Sequence, residues 1–242
     1  MFARARRLCR ILVYTSSMYL VTHLVVFLYL FPVGVPLIAL DERNAFRVKK
    51  SVTRLLFAII GQQLRVRGLE NLELGKQYLI VSNYPGSYAG FALMKAFPEA
   101  AILVHSFLSR VPVVGFLLRA TGATFVQHKR FGRTKRALDE TLSKSESRGM
   151  IILPEGGRSP DGRIRPFRRG FIYVLRHSAM DLLPVTLCGF YRLKPMKRVY
   201  LDPDAHLEMV VHKPVGHSLL ATLDDEAVLR RTEETIRREY TP

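Results

Sequence analysis

The apolar run Met150-Ile151-Ile152-Leu153 ends abruptly in Pro154-Glu155-Gly156-Gly157-Arg158-Ser159, and Pro166-Phe167-Arg168-Arg169-Gly170 follows closely. A buried strand that delivers a tight turn at a sheet edge has this pattern. Glycines in such a turn let backbone N–H groups approach a ligand. Arg158 adds a planar fork of donors whose geometry matches a phosphate. Glu155, Gly156, Gly157, Arg158 and Ser159 are therefore candidate phosphate-binding residues, with Glu155 holding the loop or orienting Arg158. Arg168 and Arg169 form a second candidate anion-binding pair. On these residues alone, a surface loop with a salt-bridged arginine is the plain alternative.

Such residues need a scaffold that gathers strand ends. Tyr78–Ser82, Ala101–His105, Ala123–Val126, Met150–Leu153 and Leu183–Leu187 read as strands, and His206–Val211 alternates like another. Helical patterns fall between and after them. Ala89–Phe97 has helical composition, and Val113–Thr121 stops at Gly122. Arg133–Ser147 places Ala137, Leu138, Thr141 and Leu142 on one face, Phe171–Ser178 is short, and Asp224–Tyr240 is charged and amphipathic. The alternation predicts an α/β fold with a mostly parallel central sheet flanked by helices. In such sheets ligand groups collect at the loops that follow strand ends. Asn83–Tyr88 and Pro154–Ser159 are two such loops.

The 242 residues suffice for one sizeable core. Residues 1–62 read as an N-terminal membrane anchor with a basic linker helix from Asn44 to about Gln62, and residues 63–242 as the α/β domain. From Ile11 to Leu40 there is no charged side chain, counting His23 as neutral. That exceeds the roughly 20 apolar residues needed to cross a bilayer. Pro32-Val33-Gly34-Val35-Pro36 interrupts the run and predicts a bend. The expectation is a membrane-embedded helix from about Ile11 to Phe31, or a helical hairpin that enters one leaflet and returns. Basic residues flank both ends, from Arg4 to Arg10 and from Arg43 to Lys50, which favours the hairpin over a single crossing. The run is too long for the apolar part of a cleaved signal peptide.

A formal net charge of +17 calls for an anionic partner. No zinc spacing, RNP motif or helix-turn-helix pattern supports nucleic acid. A basic domain beside a membrane segment fits the lipid bilayer and its anionic phospholipids, each nearby Lys or Arg contributing about 1 kcal/mol. Cys9 and Cys188 are isolated and suggest neither a disulfide framework nor a metal site.

The order of motifs resembles the glycerolipid acyltransferase family, whose best-known members are the 1-acylglycerol-3-phosphate acyltransferases. The likeness covers about Leu64 to Leu219. The family's phenylalanine-proline-glutamate-glycine-threonine-arginine-serine block is similar to Leu153–Ser159, with Gly157 where threonine is usual, and its phenylalanine-lysine-x-glycine element to Phe167–Gly170. Leu183-Pro184-Val185 resembles the fourth block. Gly122–His128 resembles the second, with Gln127 for its acid and His128 for its arginine. In the first block, Tyr84 falls on the catalytic histidine and Ala89 on its aspartate, a degenerate form of the family's His-x4-Asp pair.

The resemblance implies a membrane-bound enzyme that moves a fatty acyl chain from acyl-CoA or acyl-ACP to a lysophospholipid or acylglycerol phosphate. It implies no cofactor beyond that co-substrate, and a soluble domain facing the cytoplasm. A histidine titrating near neutrality suits removal of the acceptor's proton. Tyr84 and His128 are the candidate replacements, and arginines nearby could lower the phenol's pKa. The alternative is a catalytically inactive family member that binds anionic lipids as a scaffold or partner subunit.

Overall fold

A computed structural model of the chain describes residues 2–41, 44–110, 115, 118–119, 123–126, 139 and 149–242. Most of the helices expected over Val113–Thr121 and Arg133–Ser147 lies outside the described residues, as do Gln127 and His128.

Seven described strands form one sheet: β1 (Leu64–Arg67), β2 (Tyr78–Ser82), β3 (Ala101–His105), β4 (Thr124–Val126), β5 (Met150–Ile152), β6 (Asp181–Cys188) and β7 (Leu207–Val211). Their order is β1-β7-β6-β2-β5-β3-β4. β6, β2, β5, β3 and β4 run parallel, β7 is antiparallel to β6, and β1 is parallel to β7. The mostly parallel sheet expected from the alternation is present.

Side chains alternate across a strand, so each strand feeds two cores. Tyr78, Ile80, Ile151, Leu183, Val185 and Leu187 face one core, where Leu56, Phe57 and Ile60 at the end of helix α3 (Asn44–Ile59) and Leu93 of α4 (Ala89–Ala96) cover them. Leu79, Val81, Met150, Ile152 and Leu182 face the other. That side is covered by α5 (Gly170–Arg176) and the C-terminal helix Asp225–Arg238. The latter buries Val228, Thr232 and Ile236 at a four-residue repeat. Asp224 caps it by accepting from the Ala227 N–H at 2.7 Å.

The N-terminal segment is helical from Phe2 through a π-helical turn, Leu30–Gly34, to Leu40, comprising α1 (Phe2–Tyr29) and α2 (Val35–Leu40). Across Pro32–Pro36, where the sequence predicts a bend, the backbone stays helical, as a π turn that runs into α2. The π turn absorbs the N–H that Pro32 lacks, and the helix continues. Reversal comes after Asp41, and α3 returns antiparallel. Leu30 and Ile38 pack with Val48 and Val52, while the Tyr14 hydroxyl donates to the Ile60 carbonyl.

Among the described residues no helix is long and apolar enough to cross a membrane, so the expected span from Ile11 to Phe31 finds no support. α1 also makes specific contacts with the rest of the chain. Thr15 accepts from the Leu201 N–H at 2.9 Å, Arg10 pairs with Asp204 at 2.5 Å, and Tyr14 and Met18 pack on the sheet's core. The helix is therefore docked on protein around Arg10–Met18.

Past β6 the chain turns at Gly189, whose φ of +79° is left-handed. A Cβ there would stand 1.9 Å from the His206 carbonyl oxygen. Gly75 shares the φ, at +80°, but faces open space. Gly189→Ala is expected to cost at least about 2 kcal/mol, against about 1 kcal/mol for Gly75→Ala, because only the first adds a backbone clash to the strain. Urea midpoints with unchanged slopes measure both, and equal losses would show that the His206 contact is not what fixes the turn.

Candidate functional site

β2, β5 and β6 run the same way, so Ser82, Ile152 and Cys188 end on one edge of the sheet. The loops that follow them meet there. Asn83, fully buried, extends the β2–β6 ladder with its side chain: Nδ2 donates to the Leu187 carbonyl at 3.0 Å and Oδ1 accepts from the Leu187 N–H at 2.8 Å. Three residues on, Gly86 passes so close to the Phe190 carbonyl that a Cβ would lie 2.5 Å from it. Phe190 begins the short helix α6 (Phe190–Leu193), so the first loop rests on the chain leaving β6.

The second loop is tied to the first through Glu155. This carboxylate is 1% exposed. Oε1 accepts from the Tyr84 N–H at 2.6 Å and Oε2 from the Arg165 N–H at 2.9 Å. The Ser159 N–H donates back to the Tyr84 carbonyl at 2.9 Å. Burial raises the Glu155 pKa, and the two N–H donors with the nearby Arg165 and Arg237 only partly offset it.

Arg158 leaves this loop half-buried, and its Nη1 donates to Ser87 Oγ at 2.7 Å. It has no carboxylate partner among the described residues. Tyr84 lies beside it. Burial pushes the phenol's pKa above 10, and the pull of Arg158 in the other direction is the smaller effect. The lowering anticipated from neighbouring arginines is thus outweighed. Lys194 also stands within reach of Arg158; burial first and that guanidinium second press its pKa below the usual lysine value. Nothing in the sequence near Lys194 singles it out, because it reaches the site only through the packing of α6 under Gly86.

Among the residues expected at the site, Glu155, Gly156, Gly157, Arg158 and Tyr84 come together here. Ser159 does not offer its hydroxyl. It is 1% exposed, donates to the Arg163 carbonyl at 2.8 Å and accepts from the Gly162 N–H at 2.9 Å, closing its own turn. Arg169 points elsewhere and pairs with Glu226 at 2.6 Å. Arg165 takes its place beside Gly157, its Nη1 3.5 Å from where a Cβ would stand. His105, at the end of β3, is exposed and accepts from the Phe107 N–H at 3.1 Å. His128 lies outside the described residues.

A model of the acyltransferase family matches residues 63–188, the span from β1 through β6 that carries both loops. The chain belongs to the acyltransferase family. It is 24% identical over 221 residues to the 1-acyl-sn-glycerol-3-phosphate acyltransferase alpha of Mus musculus, covering 88% of this chain and 77% of that protein. It is 24% identical over 211 residues to a chloroplastic 1-acyl-sn-glycerol-3-phosphate acyltransferase of Brassica napus, covering 84% of this chain and 60% of the relative. The alignment with the Borreliella burgdorferi enzyme of that name is 28% identical and covers 60% and 59% of the two chains. The chain thus spans less than two thirds of the plant and Borreliella relatives. The fold matches the crystal structure of the 1-acyl-sn-glycerophosphate acyltransferase of Thermotoga maritima with a TM-score of 0.81 at 22% identity, over 96% of this chain and 95% of the other.

The Glu155 clamp carries a pH signature. A carboxyl whose folded pKa lies above its unfolded value holds its proton more tightly when folded. Its contribution is therefore full below the ordinary 4.5 and is lost as pH rises through the raised folded value. The stability of the wild type relative to Glu155→Gln is expected to be greatest below about pH 4.5 and to decline toward neutrality. Urea midpoints for both proteins from pH 4 to pH 7 measure this, and a gap that widens with pH contradicts the assignment.

Proposed function

We propose that this chain transfers a fatty acyl group from a thioester donor, acyl-CoA or acyl-ACP, to the free hydroxyl of an acylglycerol phosphate. The observation that carries the reading is Arg158. It is held by Ser87 at the edge where the matched family region ends its strands, and no carboxylate neutralises it among the described residues. A guanidinium kept in place without an acid partner is a receptor for a phosphate. Lys194 adds a second positive charge, and Tyr84, protonated at neutral pH, adds an O–H donor. The relatives act on 1-acyl-sn-glycerol 3-phosphate by name, which fits such a receptor.

In the transfer, the acceptor hydroxyl oxygen bonds to the thioester carbonyl carbon and the C–S bond breaks. The hydroxyl's proton ends on the departing sulfur, giving a free thiol and an ester. Tyr84 with a raised pKa is a poor proton acceptor at pH 7. The residues meeting at Arg158 therefore act by positioning the two reactants and by stabilising negative charge. This reading predicts slow turnover rather than none, and a protein that binds the acceptor without turnover would be the inactive alternative.

The anchor and location follow from the same reading. Leu12, Leu20, Leu24, Phe27 and Phe31 are exposed along α1 and the π turn, and Leu40 is 82% exposed at the end of α2. An apolar strip of this kind is suited to lying in the lipid interface beside the bound acyl chain. Residues 1–62 serve as the membrane anchor and residues 63–242 as the transfer domain, facing the cytoplasm where soluble donors are found.

Arg158→Ala is expected to raise the KM for lysophosphatidate about 10- to 100-fold, the loss of a charge-assisted hydrogen bond of about 1.5–3 kcal/mol. Labelled acyl transfer from acyl-CoA and acyl-ACP measures it, and an unchanged KM removes Arg158 from the phosphate. Tyr84→Phe is expected to leave kcat within about twofold. A kcat loss of about 100-fold or more would instead make the phenol the proton acceptor.

A further inference from the structure

Two arginines at this edge have no role in holding the acceptor. Arg168 lies against Gly156 and Arg165 against Gly157. The Arg168 N–H donates to the Pro154 carbonyl at 3.0 Å and the Arg165 N–H to Glu155 Oε2 at 2.9 Å, so both backbones are fastened to the turn. The Arg168 Cζ, Nε and Nη1 lie 2.8, 2.9 and 3.0 Å from where a Gly156 Cβ would be. Such even spacing means the guanidinium turns its face to the glycine. Only a residue without Cβ leaves room for it, and at φ +69° only glycine sits there without strain.

Neither guanidinium is neutralised. Arg169, Arg237 and Arg176 by contrast have acid partners: Glu226 at 2.6 Å, Glu233 at 2.7 Å and Asp225 at 2.9 Å respectively. Arg165 and Arg168 have no carboxylate within ion-pairing distance among the described residues, and both are exposed. Glu155 is near Arg165, but its oxygens point inward to two backbone N–H groups. The Gly157 N–H, on the same turn, also meets no acceptor among the described residues. Two open guanidinium groups and a free backbone N–H on one turn form an anion receptor made of residues other than Arg158, whose guanidinium is held by Ser87.

We propose that Arg165 and Arg168 bind the phosphate of the donor's phosphopantetheine arm, so that donor and acceptor phosphates are held by different arginines around the Gly156–Gly157 turn. This rests on the acyl-transfer reading for its ligand class. The phosphopantetheine phosphate is shared by coenzyme A and acyl carrier protein, and it is carried by the reactant that Arg158 does not hold.

The test is the binding of coenzyme A, of holo-acyl carrier protein and of phosphatidylglycerol vesicles to the full chain, in wild type, Arg165→Gln/Arg168→Gln and Arg158→Gln. Thermal unfolding serves as the check on folding. The double variant is expected to weaken coenzyme A, holo-acyl carrier protein or both at least tenfold while lysophosphatidate binding holds, and Arg158→Gln to do the reverse. Arg165→Lys/Arg168→Lys should recover part of the loss. In turnover, the double variant should raise KM for acyl-CoA but not for an N-acetylcysteamine thioester, which has no phosphate. Donor binding unchanged in the double variant overturns the proposal, whatever the rate of acyl transfer. Loss of vesicle binding alone overturns it in favour of lipid head groups. An Arg158→Gln variant that still binds lysophosphatidate would overturn the acceptor reading and leave the donor site to stand on its own result.

Discussion

The buried Glu155 carboxylate is the constraint on which the site depends. It stands at the end of β5, and its two oxygens take backbone N–H groups from Tyr84, after β2, and from Arg165, ten positions downstream. An anion placed where water cannot reach is tolerated only when its lone pairs are met by donors. Here those donors belong to the segments that must be aligned. Three stretches of chain are thereby locked to one point, and Arg158 emerges from the middle of the lock. Its guanidinium is then held by the Ser87 hydroxyl at 2.7 Å, on the loop that Glu155 pins.

The sheet supplies the setting for this clamp. β2 sits between β5 and β6, parallel to both, so the loops after all three converge without long connections. Asn83 extends β2 by one side-chain rung onto Leu187, which keeps the first loop from lifting off β6. β7 runs against β6 and so ends on the far edge. That leaves the near edge beside β6 to α6 and Lys194. Parallel order therefore decides which side chains can meet, and the reversal at β7 decides which cannot.

Much of this was legible in the residues, and the misses have physical causes. The β-branched and apolar runs at Tyr78–Ser82 and Ala101–His105 match the observed strands to the residue, because buried parallel strands must be apolar on both faces. Leu64–Arg67 is not among the strands read from the sequence but pairs with β7 at the sheet edge, where Arg65 and Arg67 face outward and meet Glu208. Four half-exposed residues give too short an alternation to be read alone. Arg165, Arg168 and Arg169 look alike in sequence. A glutamate 57 positions away separates Arg169 from the other two. The N-terminal run shows its length and apolarity, but not that Tyr14 and Thr15 bond to backbone at Ile60 and Leu201. Contacts of such separation leave no trace in local pattern.

Tyr84 shows how the same geometry sets the chemistry. A phenol among cations would ionise more readily if charge alone ruled, and Arg158 does pull it that way. Yet the first loop must pack on Phe190 and be pinned by Glu155, and that packing strips water from the ring. Desolvation of a would-be phenolate costs more than one half-buried guanidinium returns, so the proton stays on oxygen. The rigidity that aims Arg158 is therefore what denies the site a base at Tyr84. With the phenol kept neutral, what Tyr84 can offer at this edge is a hydrogen-bond donor beside Arg158, and such a group acts by positioning and charge stabilisation rather than as a base.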